Sequence, residues 1–478
     1  MARSPPALSR LPLLALATLL PLLGACSDPE EAGCSRDMQA GFESRAPFDA
    51  RARVRRVDCA FRGNVEGLAL GPDGSAWLRR LEYKDRGDET FFTPPDKLLT
   101  RVGPGGELLG ELPLPEYVRE LVVHPSGELT AVGWDQSMES GTLQVRRFRP
   151  DGALITERII RHSVPPGERL SYRANANGAV ARLEPTGEEG TVGILDARAH
   201  GEDVFLLVGM DGIRLMRLDG ALEVRWMSAV APGVALLAAN EAQMRALGLP
   251  FLGFLLDVDA AGRAQVALPF PAFHRRAYVD SFPQPPEGPE GRGILLTRFE
   301  PTGERAGVRT VPTEHARVLT GLVADGESFA IGARAATPVE QPGKSLAEDV
   351  FFASGRWDGA ADAPVVRTLS LDQDDAPLAL LPCGAGLYCL AGHTSFEVTD
   401  RGRTNEYGEG FILAVDARGE QQHLLRLQGE RDTEVLHAVP GPGGSVVFAF
   451  ATNQPANLAR VGDAFKYNET WLGVFSPF

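Results

Sequence analysis

One pattern constrains this chain more than any other. Two short apolar runs are pinned together by a glycine turn, first in Gly67-Leu-Ala-Leu-Gly-Pro-Asp-Gly-Ser-Ala-Trp-Leu78, and variants recur almost to the C-terminus. Proline presets φ for a turn, glycine takes the φ > 0 position, and apolar residues at alternate places on either side line one face of a sheet, so each copy reads as a β-hairpin. The turn glycines are Gly74, Gly127, Gly201, Gly262, Gly326, Gly386 and Gly443, spaced 53 to 74 residues apart. A nearly even period running through 478 residues implies one closed array of seven units.

Each unit carries a second turn signal downstream of the first: Val102-Gly-Pro-Gly-Gly106, Phe148-Arg-Pro-Asp-Gly152, Leu218-Asp-Gly220, Phe299-Glu-Pro-Thr-Gly303, Trp357-Asp-Gly359 and Val415-Asp-Ala-Arg-Gly419. Five of these six have an arginine directly before the apolar residue: Arg101, Arg147, Arg217, Arg298 and Arg356. A unit is therefore four short strands, a to d, with tight a–b and c–d turns and a variable b–c connection. The fold class that follows is all-β, a seven-bladed β-propeller of four-stranded antiparallel blades, an arrangement that leaves few open sheet edges. The seventh unit supplies strands a and b and a c-like run, Trp471-Leu-Gly-Val-Phe475, and then the chain stops. The unassigned stretch Ala52-Arg-Val-Arg-Arg-Val-Asp-Cys-Ala60 is expected to fill the missing d position, closing the ring through the two ends. Residues 161–190 are expected to be an inserted hairpin, too short for an eighth blade. Residues 235–247, with Leu236, Leu237, Met244 and Leu247 near a helical period, are expected to form a short helix.

The N-terminus reads differently. Residues 1–10 hold two arginines and no acid, and Leu11 to Ala25 is an apolar run too short to span a bilayer comfortably. The run ends in Leu23-Gly24-Ala25-Cys26, which resembles the lipobox of bacterial lipoproteins. That resemblance implies a signal peptide over 1–25, diacylation of Cys26 with palmitate-like chains, and, with Ser27 following, sorting to the outer membrane of a Gram-negative cell. Residues 26–50, polar and acidic, are expected to be a tether, and 51–478 a single propeller domain. Four cysteines remain for an oxidising compartment, and three pairings are possible. Cys383 and Cys389 flank the turn Gly384-Ala-Gly386 and are the first choice, which leaves Cys34 for Cys59; free thiols are the alternative.

A formal charge of -15 and the absence of any basic cluster exclude nucleic acid as a partner. Walker, His-Glu-x-x-His, Gly-x-Ser-x-Gly and Cys-x-x-Cys motifs are missing, and His124, in Val123-His-Pro-Ser-Gly127, is expected to be structural. The a–b and c–d turns are short, whereas the b–c connections run through 82–97, 271–292, 333–348, 393–409 and 452–470, so the long loops gather on one face. They carry Tyr83, Phe91, Phe92, His274, Tyr278, Phe396, Tyr407 and Tyr467, the mixed aromatic and polar content of a recognition surface. Three copies of strand a begin with a carboxylate, Glu66, Glu120 and Glu434, in blades that become neighbours on closure. They form a candidate channel mouth for Ca²⁺ or a cationic ligand; solvated strand starts are the alternative, and no cofactor is otherwise expected.

The unit from Leu387-Tyr-Cys-Leu-Ala-Gly-His-Thr-Ser to Gly408-Glu-Gly-Phe-Ile-Leu-Ala-Val-Asp-Ala-Arg-Gly419 resembles the repeats of bacterial secreted seven-bladed propeller proteins. Gly-Pro-Asp-Gly-Ser-Ala-Trp77 is similar to the turns of other extracellular propellers, lactonase and lyase families among them. These resemblances bear on fold, since one fold hosts many activities. The expected function is a monomeric, lipid-anchored envelope propeller that binds or scaffolds an envelope protein or extracellular ligand on its long-loop face, with no enzyme motif. A propeller hydrolase, lactonase-like or lyase-like, using an acidic mouth is the rival.

Overall fold

The computed structural model describes residues 39–44, 51–58, 63–82, 96–104, 107–114, 118–133, 142–161, 168–175, 178–185, 193–209, 212–232, 253–270, 293–313, 316–341, 344–358, 363–371, 374–384, 386–400, 403–428, 433–453 and 468–477. Seven antiparallel sheets follow one another along them. Blade one is Gly63–Leu70, Ala76–Glu82, Asp96–Val102 and Leu108–Pro113. Blade two is Val118–Val123, Leu129–Gly133, Thr142–Phe148 and Leu154–Arg161. Blade three is Gly193–His200, Asp203–Gly209, Gly212–Leu218 and Val224–Pro232; blade four is Leu255–Val258, Ala264–Phe270, Gly293–Phe299 and Arg305–Pro312. Blade five is Ala316–Asp325, Ser328–Gln341, Lys344–Arg356 and Val365–Leu369; blade six is Asp374–Pro382, Tyr388–Asp400, Arg403–Val415 and Gln421–Gln428. In blade seven Thr433–Pro440, Val446–Asn453 and Asn468–Ser476 are joined on the outside by Arg51–Asp58.

That last pairing closes the ring as the sequence implies. Val54 lies opposite Gly473 and Arg56 opposite Trp471, antiparallel. The buried apolar residues fall into seven clusters, one at each interface between consecutive blades, including the seven–one interface where Ala449 meets Val65, Leu78 and Val102. Toward the axis the blades meet almost backbone to backbone: a Cβ on Gly321 of blade five would lie 2.3 Å from the Leu380 nitrogen of blade six. All seven a–b turn glycines have positive φ, between 58° and 81°.

The c–d turn of blade three departs from the pattern. The positive φ there belongs to Leu222, at 63°, and not to Gly220. The Leu222 N–H closes the turn on the Asp219 carbonyl, while its side chain is fully buried between blades two and three, so core packing holds a non-glycine in the left-handed region.

Residues 168–185 form the expected inserted hairpin, Glu168–Asn175 against Gly178–Pro185. Residues 39–44, expected within the tether, instead make a fifth strand on blade six, Gln39 opposite Gln428 and Ser44 opposite His423. An outer strand offers a row of unpaired N–H and C=O groups, and a short extended segment satisfies them. Two expected loops are also strand. Within 333–348 the b and c strands of blade five stay paired to Pro338↔Leu346 and, after a register shift, meet again at Gln341↔Lys344, and within 393–409 those of blade six pair without a shift to Asp400↔Arg403. Thr, Val and Phe suit pleated pairing, and about six extra pairs raise each arm by roughly 20 Å at ~3.3 Å per residue. The proposed helix 235–247, the signal peptide and the Cys34–Cys59 bridge lie outside the described residues. Cys383 and Cys389 are disulfide-bonded, Cα to Cα 5.7 Å.

Candidate functional site: a charged channel

The repeat arginines are latches. Arg147 donates to Glu128 Oε2 at 2.6 Å in its own blade, to the carbonyls of Glu202 and Gly220 in blade three at 2.9 and 3.0 Å, and to the Glu202 carboxylate. Arg217 binds Asp203 and reaches the Pro301 carbonyl of blade four at 2.8 Å; Arg298 binds Glu327 of blade five at 2.6 Å and lies over the Trp357 ring. Arg101 binds Asp73 beside Trp77, and Arg356 binds Asp358. His124 is structural too, bridging Thr130 Oγ1 at 2.7 Å and the Gly201 carbonyl at 3.1 Å. This turn face is therefore held by local polar pairs.

The inner strands carry a different set of charges. In blades one, two, three, five, six and seven the a–b ladder shifts register by one residue part-way along strand a, a β-bulge that re-aims the following side chain. Counting pairs back from each a–b turn, with the hydrogen-bonded pair that closes each longer turn included, makes Gly67, Glu120, Asp196, Leu255, Gly321, Ala379 and His437 the fifth in every blade and so brings them to one level around the axis. Asp257 and Arg198 sit two pairs nearer the turns.

Arg79 joins this level from strand b. It lies opposite Gly67, where a Cβ would come within 3.4 Å of its side chain, so the bare glycine leaves room for the guanidinium to cross strand a. Its Nη2 donates to the Glu66 carbonyl at 2.6 Å, and its Nη1 to the carbonyls of Val118, at 3.2 Å, and Arg119 in blade two. Its Nε lies 3.9 Å from the Glu66 carboxylate. Asp196 accepts from Arg198 at 2.5 Å, from its neighbour's N–H at 2.8 Å, and through Oδ2 from the Leu256 N–H of blade four at 2.8 Å. Asp257 accepts from the Ala324 N–H of blade five at 2.7 Å. Glu120 has Arg119 at 4.0 Å and, among the described residues, no hydrogen bond.

These groups are enclosed yet wet. The Arg198 side chain keeps 41% of its surface and Glu120 29%, although both lie mid-length on innermost strands, where the channel is the open space they can face. Burial pushes the Glu120 carboxyl up to about 7, with Asp196 adding to it against Arg79, Arg198 and Arg119. Burial likewise raises Asp257 to about 6 and pushes His437 down to about 4, Arg79 contributing to the latter. Among the described residues no three His, Cys, Asp or Glu side chains converge as a metal would need.

Of the three carboxylates expected together, Glu66 and Glu120 share Arg79 electrostatically, whereas Glu434 faces His393 of blade six, whose ring is also within the influence of Arg334 and Glu348. The cluster therefore extends through blades seven, one, two, three and four. Asp196, Arg198, Asp257 and His437 escape an alignment on turn glycines, which counts residues and not ladder pairs across turns of different length, and Arg79 reaches the level from strand b; the readable signal is a charged residue inside an apolar inner run, as in Ile194-Leu-Asp-Ala-Arg198. Of the residues expected on a recognition surface, Phe396 and Tyr407 occupy opposite positions in the register of the blade-six arm. Tyr83, Phe91, Phe92, His274, Tyr278 and Tyr467 lie outside the described residues, as does Cys26.

The fold defines the class: a seven-bladed β-propeller. No protein-family model matches the chain, and no curated protein matches it. Among solved structures, a DUF4221 family member from Bacteroides vulgatus is 10% identical, with 92% of this chain and 98% of that one covered and a TM-score of 0.39. A Bacteroides caccae protein of unknown function is 11% identical over 69% and 89%, TM-score 0.35; a putative gluconolactonase is 11% identical over 91% and 98%, TM-score 0.34. Likenesses this weak carry no functional argument.

Proposed function

We propose that the protein is a lipid-anchored, extracytoplasmic binding propeller of the bacterial envelope that takes its ligand into the central channel from the arm-bearing face. The observation that carries the reading is the enclosed cluster of Arg79, Glu120, Asp196, Arg198 and Asp257, assembled from four consecutive blades and open to solvent along the axis. Charged groups held on rigid strands in a concave site are what selective ligand binding requires. The Cys26 motif supports the location. The test is capture from native envelope extract by the mature chain, compared with Glu120→Gln plus Arg198→Ala and with Glu304→Gln on the turn face. A partner lost only with the channel variant supports the reading; a partner indifferent to both variants overturns it.

A hydrolase or lyase reading has one observation in its favour. A carboxyl near 7 is poised to exchange protons at neutral pH, as a general acid or base must. Turnover of lactone or ester substrates abolished by Glu120→Gln would establish it.

A further inference from the structure

Glu120 stands apart within the cluster. Asp196 and Asp257 spend oxygens on backbone N–H groups of the next blade, and Arg79 spends both Nη groups on carbonyls, so these residues also tie blades together. The Glu120 carboxylate, by contrast, meets no donor among the described residues, with only Arg119 at 4.0 Å. The charged groups that act on it come from three blades: Arg79 of blade one, which also faces Glu66, its own neighbour Arg119, and Asp196 and Arg198 of blade three. With Asp257, four carboxylates surround three guanidiniums, and His437 beside Arg79 is held neutral. When each of these carboxyls is ionised, this group of seven side chains carries one uncompensated negative charge in a partly desolvated space.

A metal ion suits this site poorly. Ca²⁺ takes six to eight oxygens, and here both oxygens of Asp196 and one of Asp257 are already bonded to N–H groups, leaving too few that converge among the described residues. A primary ammonium or guanidinium needs a single unpaired carboxylate. Beyond Asp196 the same level holds Leu255, Gly321 and Ala379, residues without charge that leave room for the uncharged stem of such a molecule.

We infer that the channel binds an organic cation, with its ammonium or guanidinium seated on the Glu120 carboxylate in place of a proton. This rests on the channel being the ligand site, and it names the chemistry of that ligand.

The experiment is calorimetric titration of the mature chain with agmatine, which offers both cationic groups, with inorganic phosphate and Ca²⁺ as parallel probes. Agmatine is expected to bind saturably at pH 8, where the Glu120 carboxylate is already ionised, and at least tenfold more weakly at pH 5.5, where its binding displaces the Glu120 proton to buffer and gives a buffer-dependent heat. Glu120→Gln should weaken binding at least tenfold and abolish proton release; Glu120→Asp, which keeps the charge, should restore part of both; Glu304→Gln should change neither. Near-ultraviolet dichroism of each variant separates lost binding from lost folding. The inference fails if agmatine does not saturate, if its binding ignores Glu120→Gln, if phosphate binds in its place, or if Ca²⁺ binds through Glu120. Should envelope capture depend on Glu120 while agmatine does not bind, the cation fails and the binding reading stands; the reverse pattern removes the envelope partner and keeps the cation.

Discussion

Two residues define opposite uses of charge in this ring. Arg147 is 3% exposed and its guanidinium joins blades two and three through four acceptors. Arg147→Met leaves those acceptors without their donor and should cost about 3 kcal/mol in urea unfolding. Arg356→Met removes an exposed pair with Asp358 and should leave the midpoint unchanged. Glu120 is destabilising when ionised. Its folded form holds a proton up to about 7, against an ordinary 4.5, so the stability it contributes is complete below about 4.5 and is lost as pH rises through 7. Asp257, raised to about 6, acts in the same sense, while His437, lowered to about 4, costs stability as pH falls below 6.5. The difference between wild type and Glu120→Gln isolates the one residue. The variant should gain on the order of 2 kcal/mol at pH 8 relative to pH 5 in paired urea titrations. Glu120 itself was legible as a carboxylate near a strand start. Its setting was not, because Asp196 and Arg79 come from other blades and their approach depends on a bulge and on the bare Gly67.

At the scale of elements, the hairpin units and both tight turns were legible, since Pro-Asp-Gly chemistry dictates them locally. What local chemistry leaves undetermined is where a ladder ends. The connections over 333–348 and 393–409 read as loops from their Gly, Pro and polar content, yet blade six pairs out to Asp400↔Arg403 because nothing in Thr-Ser-Phe-Glu-Val-Thr399 opposes a strand, and blade five pairs out to Gln341↔Lys344 with a register shift after Pro338. The fifth strand, 39–44, escaped notice for a related reason: it packs on an edge created by residues nearly four hundred positions away. Closure is the element whose loss is most readily measured. A chain beginning at Phe61 leaves Asn468–Ser476 as a bare outer strand and uncovers the sheet holding buried Phe475 and Trp471. At roughly 1.5 to 3 kcal/mol for each apolar side chain returned to water, it should lose several kcal/mol and self-associate. Light scattering and a thermal melt check this; a monomer melting like the full chain contradicts it.

For the whole molecule, seven interfaces each hold one apolar cluster, so no blade possesses a core of its own. This explains why seven imperfect repeats specify one ring: each unit is stable only between two neighbours. Anchoring through Cys26 would fix that ring at a membrane, given that two acyl signals are needed for lasting attachment. Cys26→Ser should then appear in the soluble fraction after a high-salt wash, and retention with membranes would contradict the lipobox reading.

The pairing of Arg51–Asp58 with Asn468–Ser476 also has a consequence in time. Of the described strands that make up the four-stranded blades, the one that completes blade seven is the earliest to leave the ribosome, and its partner comes after all the other blades. A chain that lacks either strand cannot close the ring, so the molecule stays open until both have been made. Contacts so distant in sequence are reached slowly, because loop closure must precede any gain from pairing. A refolding experiment with a fluorophore on each of the two strands should show their approach as the slowest phase, arriving after the inner blades have formed.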